Sequence, residues 1–385
     1  MGEPMTTAVL PDYPMTFAGE PGSRAVLDGP PAIDVRAHMR VAAPTLPALV
    51  RLTRAVRRAR KGPGRLTPRE FFQYRLWDER FRMGPLAAFV GRERQGELHR
   101  ACNDPRWIGI ADDKIVAYSL LASFGARAFL PDTRRFYAAD DRRFEQVGWM
   151  PTREEVRDYL RYPEAFPMFG KPVDGIYSLD CFHAIRHDEE RDLVVMANGT
   201  AIAVEALTDR IIRHKRGFLF QAPLSSHPEM RTVFGKSLCS VRLLVFVVPG
   251  GGIVRSAVLK IAVTGNMADN YWRSGNLLAA IDLDTGRIVR VVSGTGLEMR
   301  LADTHPDTGL PVVGFALPLW DETLSLVEWL AGSFPGIRTQ SWDIAITAQG
   351  PRILEINWGG DLHLHQSAHG KGIWDDSFRA HLERS

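Results

Sequence analysis

Asp343, Glu355 and Asn357 carry the side chains with the clearest chemical promise. They lie in SWDIAITAQGPRILEINWGGD (341–361), where two short apolar runs flank a Gln-Gly-Pro segment that reads as a turn. Side chains alternate along a strand, so Glu355 and Asn357 share one face while Leu354 and Ile356 take the other. A hairpin that returns beside Asp343 brings two carboxylates and an amide oxygen to one spot. Such an oxygen-only set suits a hard cation, Mg²⁺ or Mn²⁺. Trp342 and the apolar neighbours predict burial, where unpaired carboxylates are costly and a metal relieves that cost.

Other polar residues interrupt apolar runs in the same way. Arg242 in SVRLLVF and Lys260 in AVLKIAV must be paired or aimed into a cleft. Lys171 lies at the end of a strand in MFGKPVDG, and Lys114 follows two acids in DDK. GNMADNYWRSGN (265–276) is a polar loop between two strands, whereas PGGGIV (249–254) reads as a hairpin turn and not as a dinucleotide loop. His363, His365 and His369 lie near Asp361, but their spacing supplies no regular fourth zinc ligand, so zinc is the weaker alternative.

Strands and helices must position these groups. Residues 1–45 are rich in Pro, Gly and Ala and read as a loose lead-in. LPALVRLTRAVRRAR and TPREFFQYRLWDERF repeat apolar residues at helical spacing, and Thr67 with Glu70 forms a capping box. Helices are also predicted at 112–126, ended by Gly125, and at PTREEVRDYLRY. From residue 166 the texture changes to β-branched and aromatic runs separated by turns, interrupted by helices at 203–215 and 320–334. GIWDDSFRAHLER closes as a helix. The expected class is α+β, a helical front part followed by a mostly antiparallel sheet region.

The bulk numbers bound the function. A chain of 385 residues, 45% hydrophobic and 24% charged, has room for two or three packed subdomains of ordinary soluble type. A net charge of +3 is too small to point to nucleic acid, and the basic cluster RAVRRARKG (54–62) reads as a solvated helix face. No apolar run approaches spanning length and no secretory signal is visible. Cys102, Cys181 and Cys239 are far apart and fit buried thiols in a reducing cytoplasm, so a cytoplasmic location is expected.

The series D-x11-E-x-N, with Gly-Pro before its second strand and THPDTGLPVVGFALPLWDE upstream, resembles the magnesium site of the ATP-grasp superfamily. Within it, the chain is similar to the sugar-transfer-associated ATP-grasp family over roughly residues 65–380. The resemblance implies an ATP-grasp fold: a helical part at 46–110, then two α+β subdomains at 111–215 and 216–385 that grip ATP. It implies Asp343, Glu355 and Asn357 as Mg²⁺ ligands, with Lys114 and Lys171 on the phosphates. Gly175 and Ser178, in the glycine-poor VDGIYSLD, stand where the family has a phosphate-covering flap. Gln221 and Leu224 would meet the adenine, and His227 or Glu229 the ribose. Arg242 and Lys260 would act catalytically, offsetting charge on the transferring phosphoryl group. Asp269, Asn270 and Gln366 would face the acceptor substrate, with Asn276 where a glycine is usual.

The implied activity is that of an ATP-dependent carboxylate–amine ligase, making an amide through an acyl phosphate and releasing ADP and phosphate. A kinase of the same fold and a non-catalytic nucleotide-binding protein are the alternatives. Expected partners are a small-molecule carboxylate and amine, with no nucleic acid and no membrane, and the helical front part is a candidate homodimer contact. On this reading Asp343→Ala and Glu355→Ala abolish turnover and leave the fold intact.

Overall fold

The computed structural model describes residues 32–140, 147–175, 180–263, 266 and 269–383. Two compact units emerge: Asp132–Pro223 builds one, and Pro30–Pro131 with Leu224–Ser385 builds the other. These divisions differ from the expected boundaries at 110/111 and 215/216. The helix that opens at Lys114 is held on the second unit by Tyr118, whose hydroxyl donates to the Leu354 carbonyl at 2.6 Å.

The front part supplies helices α1 (Val35–Ala42), α2 (Leu46–Lys61), α3 (Pro68–Gln73), α4 (Arg92–Cys102), α5 (Ile108–Asp112) and α6 (Lys114–Leu121). Helix α1 falls within the expected lead-in. It forms because Asp34 caps it, accepting from the Arg36 and Ala37 N–H groups, and because His38 packs on Phe72 and Trp77. The capping box at Thr67 and Glu70 is present and starts α3. That helix stops at Gln73, well short of the expected length. Arg75 turns into the left-handed region (φ 53°), pairs with Asp78 at 3.2 Å and covers the Phe81 ring at 4.5 Å.

The Asp132–Pro223 unit contains β1 (Thr133–Tyr137), β2 (Gly148–Met150), β3 (Met168–Pro172), β4 (Phe182–Asp188), β5 (Leu193–Met196), β6 (Ala201–Ala203) and β7 (Phe218–Gln221). They order as β2-β1-β7-β3-β4-β5-β6, and only β1 and β2 run parallel. Helices α7 (Arg153–Arg161), opened by a Thr152–Glu155 capping box, and α8 (Val204–Ile212) accompany the sheet. Its aromatic core includes the stacked Phe182 and Phe218 rings, 5.7 Å apart. Gly170 lies beneath them: a Cβ there would meet the Phe182 ring at 2.4 Å.

The second unit adds α9 (Pro228–Phe234), α10 (Trp320–Ala331), α11 (Leu362–His369) and α12 (Asp376–Glu383). Its strands are β8 (Ser240–Val248), β9 (Gly251–Ile261), β10 (Leu277–Ile281), β11 (Ile288–Ser293), β12 (Arg300–Leu301), β13 (Thr339–Thr347) and β14 (Gly350–Trp358). Their order is β12-β11-β10-β9-β8-β13-β14, antiparallel throughout. The PGGGIV segment is the expected hairpin turn, with Val248 paired to Gly251. Gly252 there admits α10, since a Cβ would meet that of Ala331 at 2.6 Å.

The β13–β14 turn lies earlier than expected. Thr347 pairs with Gly350, so Ala348 and Gln349 make the loop and Gly350 (φ 104°) opens the return strand. Pro351 is tolerated there because β14 is the sheet edge. Cys102 and Cys239 are buried free thiols. Among the described residues no helix is long and apolar enough to cross a membrane.

Candidate active site

Cross-strand register brings the predicted groups together. Arg242 on β8 sits opposite Asp343 on β13, which sits opposite Glu355 on β14. Lys260 on β9 pairs with Ser240, two residues before Arg242. Alternation therefore sets Ser240, Arg242, Lys260, Asp343, Glu355 and Asn357 on one face of the sheet. Next to Glu355 the pairing steps from Asp343–Glu355 to Ile344–Ile353, so Leu354 is an extra residue, a β-bulge. Tyr118 satisfies the carbonyl of that bulge and ties Glu355's strand to α6, whose first residue is Lys114. Sequence reasoning missed Tyr118. Its only signal is a hydroxyl one helical turn after Lys114 on an otherwise apolar helix face.

The ionic contacts are dense. Arg242 grips Asp343 with two hydrogen bonds, Nε to Oδ1 at 2.7 Å and Nη2 to Oδ2 at 2.6 Å. Lys260 donates to Oδ2 of the same carboxylate at 3.0 Å and lies 3.7 Å from Asp269. Ser240 donates its hydroxyl hydrogen to Asp269. Glu355 is more loosely held, 3.7 Å from Arg242 and 3.5 Å from Lys114. Asp343 is only 3% exposed. Burial pushes its carboxyl up, but the charges and hydrogen bonds of Arg242 and Lys260 outweigh that and hold it well below the usual carboxylate range. For Asp269 burial wins over Lys260 and Ser240, and its carboxyl is raised.

A divalent cation has a fitting donor set here. Asn357 directs its amide NH₂ toward the Ser341 carbonyl and Glu355, at 3.5 and 3.4 Å, and its Oδ1 accepts no hydrogen bond among the described residues. Glu355 has a side chain 27% exposed. Asp343 fits less well. Its Oδ2 accepts two hydrogen bonds and its Oδ1 one, leaving one lone pair for a metal. The histidine tail is different. It forms helix α11, capped by Asp361, and its rings diverge. His365 meets Ser256 at 2.8 Å, His369 the Ala257 carbonyl at 3.0 Å, and His363 lies 3.7 Å from Glu70. No group of three His, Cys, Asp or Glu suited to a metal occurs among the described residues.

Burial pushes the imidazoles of His99, His363, His365 and His369 below their ordinary value. Unfolded histidines take up protons near pH ~6.5, whereas these folded ones do so only at lower pH. The unfolded state therefore binds more protons in that window, and the histidine contribution to stability, complete above pH ~6.5, is lost as pH falls. The urea midpoint should drop between pH ~7.5 and ~5.5, and an unchanged midpoint would exclude this coupling.

Gln366, expected at the acceptor substrate, requires correction. It is buried, donates to the Tyr74 hydroxyl and Val90 carbonyl at 3.0 and 2.9 Å, and accepts from the Val90 N–H at 2.7 Å. It clamps α11 to the front part. Gln366→Leu should lower stability by about 1–3 kcal/mol in urea unfolding and leave nucleotide-analogue binding in place.

Asn276 also acts on the backbone, accepting from Val263 N–H at 3.1 Å and donating to the Asn270 carbonyl at 2.7 Å. It thereby braces the loop of Asp269 and Asn270. His227 caps α9, accepting from Glu229 N–H at 3.4 Å, while Leu224 is half-buried and Glu229 exposed.

Lys171, Gly175 and Gln221 belong to the Asp132–Pro223 unit. Lys171 is buried on β3 opposite Leu219, Gly175 follows a turn at Pro172, and Gln221 donates to the Thr133 hydroxyl at 2.8 Å. Ser178 lies outside the described residues.

No curated protein matches the chain by sequence. Among solved structures it is similar to a D-alanine–D-alanine ligase from Bacillus anthracis, at 12% identity over 78% of this chain and 76% of that one, TM-score 0.39. It is also similar to an N5-carboxyaminoimidazole synthase from Aspergillus clavatus in complex with ADP and 5-aminoimidazole ribonucleotide, at 8% identity over 70% and 50%, TM-score 0.37. An L-amino acid ligase from Bacillus licheniformis matches at 12% identity over 68% of this chain, TM-score 0.33, and the chain covers 43% of that protein's length. Identities and scores this low carry no argument about activity. The model of sugar-transfer associated ATP-grasp proteins, by contrast, matches residues 93–379, well over half of the chain. This chain belongs to the sugar-transfer associated ATP-grasp family.

Proposed function

We propose that the chain is an ATP-dependent carboxylate–amine ligase. One observation carries the reading. Lys114, Arg242 and Lys260 converge with Asp269, Asp343 and Glu355 on one face of one sheet, mostly out of water. Such a cluster of fixed cations beside carboxylates is what phosphoryl transfer from ATP asks of a protein, because the transferring group demands charge neutralisation and positioning more than covalent help.

In the proposed reaction a substrate carboxylate oxygen attacks the γ-phosphorus of ATP, and the bond to the β–γ bridging oxygen breaks to release ADP. The amine nitrogen then attacks the acyl carbon, phosphate leaves with the C–O electron pair, and the nitrogen's proton passes to solvent. Arg242 and Lys260 would neutralise charge on the moving phosphoryl group, and Lys114 would hold a phosphate oxygen. Glu355 and Asn357, with the remaining lone pair of Asp343, would hold Mg²⁺ or Mn²⁺, which when bound supplies Lewis-acid neutralisation of phosphate oxygens. Lys171, Gly175, Ser178 and Gln221 are assigned to nucleotide binding on the family pattern alone. Asp269 and Asn270 are assigned to the acceptor side on the same ground.

The first test is thermal stabilisation by a non-hydrolysable ATP analogue with and without Mg²⁺. A Mg²⁺-dependent rise in melting temperature is expected, and no rise would sink the proposal. Pairs of acids and amines are then screened for ADP release with mass spectrometry of the product. Release that needs the acceptor but never an amine would make the protein a kinase.

A further inference from the structure

No residue of the basic front segment is assigned to that chemistry. From Val35 to Arg69 the chain has ten Arg and Lys and no Asp or Glu, leaving 38 basic against 45 acidic residues elsewhere. Most of this charge lies on α2, capped by Thr45. Its Leu52 and Ala59, with Ala55 and Val56 beside them, pack into a core with Phe71 and Phe72.

At about 100° per residue, the arc of about 140° facing away from that core holds Arg51, Arg54, Arg57, Arg58 and Lys61, all exposed. The same arc holds Leu46, 74% exposed, and Val50, 42% exposed, and Val41 at the end of α1 is 61% exposed. Arg60 and Arg65 are held by Glu93 and Glu97 at 3.1 and 2.6 Å. None of the five cations on the arc has an ion pair among the described residues.

We propose that the α1–α2 hairpin docks on an anionic lipid bilayer, with α2 lying in the interface plane. Among the described residues this face has five cations without an ion pair and no acid, which fits a polyanionic partner, and two copies of it would repel each other. A nucleic acid would neutralise the cations yet leave Leu46, Val50 and Val41 in water, and the arc carries no aromatic or amide side chain to meet bases. Anionic headgroups over an acyl layer satisfy both halves of the face. At 16 residues α2 is read as an interfacial helix and not a spanning one.

The test uses the full chain and co-sedimentation with phosphatidylcholine vesicles, with and without phosphatidylglycerol. Binding should require phosphatidylglycerol and weaken with salt. Arg54→Gln/Arg57→Gln/Arg58→Gln should lower partitioning about 100-fold, and Leu46→Ser/Val50→Ser at least about 10-fold. Both sets of positions are exposed, so melting temperature and Mg²⁺-dependent analogue binding should stay at wild-type values.

Absence of wild-type binding to phosphatidylglycerol vesicles at low salt would overturn the proposal. So would duplex DNA binding of equal strength that Leu46→Ser/Val50→Ser leaves unmoved, or a dimer in solution that these substitutions dissociate.

Discussion

Asp343→Ala should lower stability by about 3–5 kcal/mol, read as a shift of the urea midpoint, in addition to abolishing turnover. The sequence alone suggested that the fold would be untouched. The structure reverses that expectation, because both oxygens of Asp343 are engaged by Arg242 and Lys260. Removing the carboxylate leaves Arg242 and Lys260 with only their longer contacts to Glu355 and Asp269, 3.7 Å each, and breaking a buried pair from one side costs far more than the pair contributes. A double-mutant cycle checks the cause. Arg242→Met alone leaves Asp343 with Lys260, and Arg242→Met combined with Asp343→Ala should cost clearly less than the two single changes added together. A loss below about 1 kcal/mol for Asp343→Ala, the range of exposed pairs, would show that this network is solvated and not a buried anchor.

The same residue shows where sequence reading reaches its limit. Alternation along ILEINW placed Glu355 and Asn357 on one face correctly, since that inference needs only the local period of two. Single cations inside SVRLLVF and AVLKIAV were likewise legible, because Arg and Lys cannot sit in apolar strands without partners. What joins them is register, which is set by hairpin turns and non-local pairing. Nothing local says that Arg242, Asp343 and Glu355 stand in one row, or that Leu354 bulges and takes its hydrogen bond from Tyr118.

Periodicity also misled where packing overrode it. The pattern after Thr67 promised a long helix, but Arg75 bonding to Asp78 and the Met299 carbonyl ends it early. The Gln-Gly-Pro motif looked like the turn itself, whereas Gly350 already pairs with Thr347. Gln366 was read as a substrate contact from its place after the acidic strand. Its amide is in fact consumed by Tyr74 and Val90, residues far off in sequence that no local pattern connects to it.

Glu355→Ala is therefore the cleaner probe of the proposed chemistry, with an expected loss of ADP formation of at least about 100-fold. Its side chain is partly exposed, and its contacts to Arg242 and Lys114 are long, 3.7 and 3.5 Å. Removing Glu355 should therefore cost clearly less than removing Asp343, whose oxygens carry three short hydrogen bonds, and the folded state should survive. If Glu355 with Asn357 holds the divalent ion, the variant should lose the Mg²⁺-dependent part of stabilisation by an ATP analogue and keep any metal-independent part. Glu355→Gln separates charge from shape: it keeps the contact geometry, removes the anion, and should behave like the alanine variant if metal charge is what matters. An unfolded Glu355→Ala protein would place the residue in the structural network with Asp343. A folded variant with wild-type Mg²⁺ dependence would refute the metal assignment while leaving the family membership standing.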